Sequence, residues 1–300
     1  MRPHVEFVDQ QDLLWHHAEF EHAEGSAKQQ NLSYDEEDGS ASLRVEFVTD
    51  WSRSAGFHEA QTEWFVLSGK VDIGGEILTK GGYWCAPKGA LTPAIKVTEG
   101  SQILLFREYA AWGFKPAKDA AQSISSDSEV VIKHSESMDW FDVEDPANGS
   151  PMDFSRGGTP VPGLFIKLLY RDPKTGFYTR LIKAKPGWRE HPLAHHPVYE
   201  EAYCLEGEFD YNYGLMKPGQ YFFRPAGIRH GDFTAGEEEG CTWILRCDGD
   251  LVDWYTEEAS VEMHGKPVNW GDDFPGTEPP VYIQPVRSRT AGKWQDPSYQ

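Results

Sequence analysis

Four cysteines in 300 residues cannot staple a fold of this size, and Cys85, Cys204, Cys241 and Cys247 form no CxxC pair. Cys241 and Cys247 could bridge adjacent strands, but buried free thiols in a reducing compartment are the expected state. Basic charge is also scarce. Against 48 acidic side chains stand 28 basic ones, for a formal charge of -20. Such a balance repels phosphate backbones and anionic lipid, and no Lys/Arg cluster offsets it, so neither nucleic acid nor a membrane surface is an expected partner. No apolar run approaches the length of a membrane span. The first residues, Met1 to Gln11, carry His4, Glu6 and Asp9 instead of an apolar leader, and a cytoplasmic location is expected. Nucleotide loops are missing too, with neither G-x-G-x-x-G after a strand nor a Walker loop, which argues against a kinase or a dehydrogenase. Ser54 and Ser68 lack a nucleophile-elbow setting, which argues against a serine hydrolase.

What is present is strand. Apolar residues make up 39% of the chain, with aromatics spread along it, as a folded globular protein requires. Alternating or apolar segments at 42–48, 63–67, 102–106, 164–170, 178–184, 201–205, 221–224 and 241–247 predict strands. Gly-rich and Pro-rich turn signals separate them. Residues 117–148 are acidic, with no sustained helical period, and Trp140-Phe141 could anchor them to a domain surface. The tail from Glu257 to Gln300 is rich in proline, glycine and charge but holds Trp270, Phe274, Tyr282 and Trp294, so an extended, packed arm is expected.

Two blocks repeat. His58, Thr62, Gly69, Gly81, Pro87, Gly89 and Thr92 are spaced by 4, 7, 12, 6, 2 and 3 residues, and so are His196, Glu200, Gly207, Gly219, Pro225, Gly227 and His230. Repeated units of short strands and glycine turns imply two similar antiparallel sandwiches or barrels. Gly69 and Gly207 fall where a hairpin must turn, which suits a residue tolerant of positive φ. The turn residues match between the halves, but the metal-ligating residue types do not. In the second half, His196 and Glu200 lie an even number of residues apart on a strand start, and a neighbouring strand can present His230 to them. Two imidazoles and a carboxylate suit Zn(II), Fe(II), Mn(II), Ni(II) or Co(II) and leave positions for water and substrate.

The second half resembles the cupin superfamily. Its segment Gly219-Gln-Tyr-Phe-Phe-Arg-Pro225-Ala-Gly227-Ile-Arg-His230 matches the second cupin motif, with Thr234 where the terminal Asn would fall. Its segment from Ala194 to Gly207 matches the first motif at His196, Glu200 and Gly207, with Ala194 in place of the first histidine. His195 or His191 could fill that gap if the strand bulges or curls there; otherwise three protein ligands remain. In the first half the ligand positions hold Gly56, His58, Thr62 and Thr92, and Glu63 is one residue out of register.

The pattern is similar to the bicupins, more narrowly to the anti-sigma-factor ChrR-like and DUF4437-type cupins. That resemblance implies an all-β chain of two tandem cupin-like antiparallel sandwich barrels of the double-stranded β-helix type. Residues 1–120 would form a barrel with a degenerate metal site, 121–160 a linker, 161–256 the metal-binding barrel and 257–300 the arm. One divalent ion, Fe(II) or Zn(II) ahead of Mn(II) or Ni(II), would sit on His195, His196, Glu200 and His230, with Glu200, Arg224 and Tyr203 in catalytic roles. Arg180, Arg224 and Arg229 could pair with a carboxylate or enolate. The implied activity is that of a metal-dependent oxidoreductase, a dioxygenase acting on a small enolisable or phenolic ketone. The alternatives are a zinc-binding ChrR-like sensor or ligand-binding protein, and a metal-dependent hydrolase, lyase or isomerase. Cupin-like barrels associate through sheet edges, so a homodimer is expected.

Overall fold

In the computed structural model of the protein, residues 2–108, 113–119, 129–143, 163–249, 251 and 254–255 are described, with backbone alone for 191–193 and 254–255. They divide into two units, one built on Arg2 and Asp12–Met138, the other on Pro3–Gln11 and the residues from Asp139 onward. The first nine residues of that second unit therefore come from the start of the chain. The expected arm, 257–300, lies outside the described residues.

Among the described residues there is no α-helix, only single 3-10 turns at Ala117–Asp119 and Ser135–Ser137. None of these is long and apolar enough to cross a membrane. The first unit holds a seven-stranded antiparallel sheet in the order Val131–His134, Gly82–Ala86, Gln61–Ser68, Gln102–Glu108, Ala41–Phe47, Ala27–Tyr34, His16–Ala18. A five-stranded sheet and a three-stranded sheet accompany it. The residue pattern explains the burial: in Ala41–Phe47, Leu43, Val45 and Phe47 enter the core, while Arg44 and Glu46 between them are half-buried. Phe47, Trp51, Trp64 and Trp84 build that core from rings 5.4–5.9 Å apart. Each such side chain contributes about 2–3 kcal/mol on burial.

The second unit repeats the plan. Its seven-stranded sheet runs Val5–Asp9, Gln220–Arg224, Glu200–Gly207, Cys241–Cys247, Tyr178–Ala184, Leu164–Arg171, Phe141–Asp142, beside a five-stranded sheet that includes Arg189–His195 and His230–Ala235. The strands expected over 178–184 and 241–247 occupy those residues. Phe141 pairs with Ile166, and the Lys167 ammonium lies 4.4 Å from the Trp140 ring. The matched glycines Gly69/Gly207, Gly81/Gly219 and Gly89/Gly227 all have φ between 68° and 87°, a backbone state that glycine adopts without steric cost. Among the described residues each sheet has two edge strands, so the hydrogen bonding there shows antiparallel sandwiches and no closed barrel. Cys85, Cys204, Cys241 and Cys247 are free and buried, and Cys241 and Cys247 sit at opposite ends of one strand.

Candidate metal centre

Three elements of the second unit converge on one point. Glu200 opens the strand Glu200–Gly207 and pairs across it with Arg224 on one side and Cys247 on the other. His196 follows the strand Arg189–His195 and is tied by its carbonyl to the Gly227 amide at 2.8 Å, which couples it to the Pro225–Gly227 turn. That turn delivers His230 as the first residue of the next strand. The ligand atoms of His196, Glu200 and His230 lie within 4.8 Å of one another, and all three residues are buried.

The donor atoms fit a cation. The two imidazole Nε2 atoms are 3.1 Å apart, Glu200 Oε2 lies 3.1 Å from His230 Nε2, and it lies 3.9 Å from His196 Nε2. Donors about 2.1 Å from an ion and at right angles stand about 3.0 Å apart, so two of these edges suit three adjacent positions of a six-coordinate ion. The tautomer agrees. His230 Nδ1 donates to the Ile228 carbonyl at 2.9 Å, which leaves a lone pair on Nε2 facing a carboxylate oxygen and a second imidazole. Lone pairs converging in a buried space call for a positive centre between them.

The charges around the site point the same way. Burial pushes the Glu200 carboxyl up, but His230, Arg224 and His196 outweigh it and hold the group well below the usual carboxylate range. Burial and the neighbouring Arg224 charge push His230 down against the pull of Glu200, which favours the neutral ligating ring. Arg224 donates from Nη1 to Glu200 Oε2 at 2.8 Å and so orients that carboxylate. Its other nitrogens, Nε and Nη2, donate to Glu6 at 2.6 and 3.2 Å. Glu6 also accepts from Tyr211 Oη at 2.5 Å and sits 3.0 Å from His4 Nε2.

Glu6 is the residue that sequence reasoning missed. His4 and Glu6 served there only to break up a leader-like stretch, and no local spacing ties position 6 to position 224. The strand Val5–Asp9 is bulged between Val5 and Val8, and Phe7 has φ 53°. The irregularity lets the consecutive residues Glu6 and Phe7 both reach Tyr211, one by hydrogen bond and the other by a ring contact at 5.4 Å.

The other expected residues lie elsewhere. His195 is buried but is not part of the three-residue cluster. Ala194 is the residue that pairs with His230, whereas His195 pairs with Trp254, and successive residues of a strand face opposite ways. The strand Arg189–His195 does bulge between Glu190 and Leu193, but the His191 side chain lies outside the described residues. Tyr203 is three residues from Glu200 on a regular stretch of strand, hence on the other face, and its hydroxyl donates to Gln10 Oε1 at 2.6 Å. Glu201 also faces away, into an ion pair with Arg246 and a 2.5 Å hydrogen bond from Tyr221. Arg229 is half-buried, and Glu237, Glu238 and Glu239 form an exposed turn.

Arg180 faces inward. The cross-strand row Ala202–Leu245–Arg180 is next to the row Glu200–Cys247–Tyr178 on the same face. Its Nε atom is buried with no hydrogen-bond partner among the described residues.

The corresponding position in the first unit cannot hold an ion in this way. His58 Nε2 accepts from Arg53 Nη2 at 2.9 Å, so Nδ1 carries the proton and donates to Thr62 Oγ1 at 3.2 Å. Both ring nitrogens are thereby occupied. At Gly56 a Cβ atom would lie 2.4 Å from the Lys115 carbonyl and 2.4 Å from the Phe114 ring, leaving no room for a ligand side chain.

Two antiparallel sandwiches with the same turn framework, one carrying a His/His/Glu cluster, have the cupin-like plan that the second-half motifs imply. The chain belongs to the family described as a domain of unknown function, DUF4437, whose model matches residues 6–254. Among solved structures it is similar to a protein of Nostoc punctiforme provisionally assigned as a dioxygenase, at 17% identity and TM-score 0.65, over 86% of this chain and 84% of that one. It is also similar to the Escherichia coli protein YlbA of the DUF861 family, at 17% identity and TM-score 0.51, over 78% and 86% of the two chains. A third similar structure is the oxalate decarboxylase of Bacillus subtilis, at 14% identity and TM-score 0.50, over 91% and 86%. These likenesses are of fold. No curated protein matches the sequence.

Proposed function

We propose that the second unit winds as a double-stranded β-helix around a metal centre, and that the protein is an Fe(II)-dependent dioxygenase acting on a small enolisable or phenolic ketone. The observation that carries this reading is the convergence of two imidazoles and one carboxylate, His196, His230 and Glu200. A 2-His-1-carboxylate set with open positions is the ligand arrangement of non-haem iron oxygenases. Iron held by these residues would supply the dioxygen chemistry. The chain's own residues do the rest. Arg224 keeps Glu200 ionised and oriented, the Ile228 carbonyl sets the His230 tautomer, and Arg180 attracts the enolate or phenolate oxygen of the substrate. Tyr178 and Phe222, both buried, help keep bulk water out. The Nostoc structure, with its provisional dioxygenase assignment, supports the reading as a relative in fold.

Elemental analysis of protein purified without an affinity tag is the first test, followed by oxygen uptake by the iron-loaded protein with diketones and hydroxyaryl ketones. Uptake that disappears in Glu200→Ala supports the proposal. Zinc as the one retained metal, with no oxygen consumed by the iron-loaded form, would overturn it in favour of a zinc-binding sensor or a hydrolase.

A further inference from the structure

The first unit carries no His/His/Glu set at the matching positions, yet a pocket lies there around His58 and Thr62. This pocket, open to solvent, is lined by Arg53, His58, Arg107, Trp64, Phe114 and Phe20 among others. Two guanidinium groups in one pocket are unusual in a chain with 20 more acidic than basic charges. Arg53 is 6% exposed and Arg107 is 4% exposed. Buried charge of one sign is costly unless an opposite charge meets it.

For Arg53 no such charge is in place. Among the described residues it has no carboxylate within ion-pairing distance. Its Nη2 is spent on the neutral acceptor His58, and its buried Nε has no hydrogen-bond partner. Glu21, which also lines the pocket, accepts the Phe114 amide at 2.8 Å and attracts Arg53 only through space. Burial pushes both guanidinium groups down to about 9, against the opposing pulls of Glu21 on Arg53 and Tyr34 on Arg107. Both remain charged at neutral pH.

The walls are as informative as the charges. The Arg53 guanidinium lies 4.0 Å from the Phe114 ring centre, a cation–π contact that helps hold it in place. Trp64, Phe20 and Leu105 supply apolar lining beside it. His58 is fixed as a neutral spacer by the relay from Arg53 through its ring to Thr62, whose hydroxyl reaches the Ala60 carbonyl at 3.3 Å.

We propose that this pocket of the first unit binds a small organic carboxylate with an apolar body. The carboxylate would sit between Arg53 and Arg107, and the body against Trp64 and Phe114. An inorganic anion would leave the aromatic wall unfilled, and a neutral molecule would leave Arg53 without a directly paired anion. This site is separate from the His196/His230/Glu200 centre and does not depend on the activity proposed for it.

The test is calorimetric titration of the full-length protein with benzoate, benzamide and phosphate, repeated on His230→Ala, Arg53→Gln and Arg107→Gln. Expected are saturable benzoate binding at about 1 mM or tighter, no comparable binding of benzamide or phosphate, and one benzoate site surviving in His230→Ala. Each arginine variant should weaken benzoate binding by roughly tenfold to a hundredfold, the loss of a charge-assisted contact. Equal affinity for benzamide, binding of phosphate alone, loss of the benzoate site in folded His230→Ala, or unchanged affinity in both folded arginine variants would each overturn the proposal. So would absence of saturation by roughly 20 mM benzoate. If the arginine variants fail to fold, the ligand comparison on the unaltered protein decides the matter.

Discussion

Replacing Glu6 with Gln tests whether the chain's first strand supports a site built almost entirely from residues some two hundred positions away. The Glu6 carboxylate, fully buried, meets four donor atoms: His4 Nε2 at 3.0 Å, Arg224 Nε at 2.6 Å, Arg224 Nη2 at 3.2 Å and Tyr211 Oη at 2.5 Å. Glutamine keeps the volume but retains one acceptor oxygen, so at least one buried donor loses its partner. Arg224 also keeps its charge, with Glu200 as its remaining carboxylate contact among the described residues. Removing one member of such a buried pair costs about 3–5 kcal/mol. An unshared Arg224 draws Glu200 away from the imidazoles, and loss of an outer partner of this kind lowers metal affinity by roughly 10–100-fold.

Urea unfolding of the full chain, with and without chelator, reads the first effect on the metal-sensitive transition, and chelator competition reads the second. A loss under about 1 kcal/mol with unchanged competition would refute the reasoning. The acid limb gives a second check. Burial raises the Glu6 carboxyl, but Arg224 and His4 outweigh it and leave it lowered. Its stabilisation is therefore complete above the unfolded value of about 4.3 and is lost as pH falls below it. Glu6→Gln should flatten that limb.

Other perturbations probe the two units separately. His230→Ala should strip most bound metal while the unit stays folded, and His58→Gln should leave metal content unchanged; elemental analysis of both checks the assignment of the centre to the second unit. His58 is pushed well below the usual imidazole value by burial first, then by the charges of Arg53 and Arg107. Since the folded value is depressed, its contribution to stability is present above about pH 6.5 and declines as pH falls, by up to about 1.4 kcal/mol per pH unit. Unfolding of the first unit between about pH 7 and 5 should show that slope and lose it in His58→Gln. Gly56→Ala should destabilise the first unit by about 1–3 kcal/mol because its Cβ has no space; an unchanged melting temperature would contradict the packing.

Strands 178–184 and 241–247 were legible because their alternation is local, and the hairpin glycines because positive φ is a property of one residue. His196, Glu200 and His230 could be named as a set because turn and strand lengths alone bring them together within 35 residues. Face assignments beyond that stretch were harder. Tyr203 and His195 are near the ligands in sequence, yet the pleat turns Tyr203 to the other face and pairs His195 away from His230.

Two features belonged to the tertiary structure alone: Glu6 meeting Arg224 across 218 positions, and Arg53 and Arg107 sharing one cavity. Each depends on which strand edges meet after collapse. Local propensity and period carry no record of that choice, because it is made by long-range pairing and by the burial of charges that have yet to find their partners.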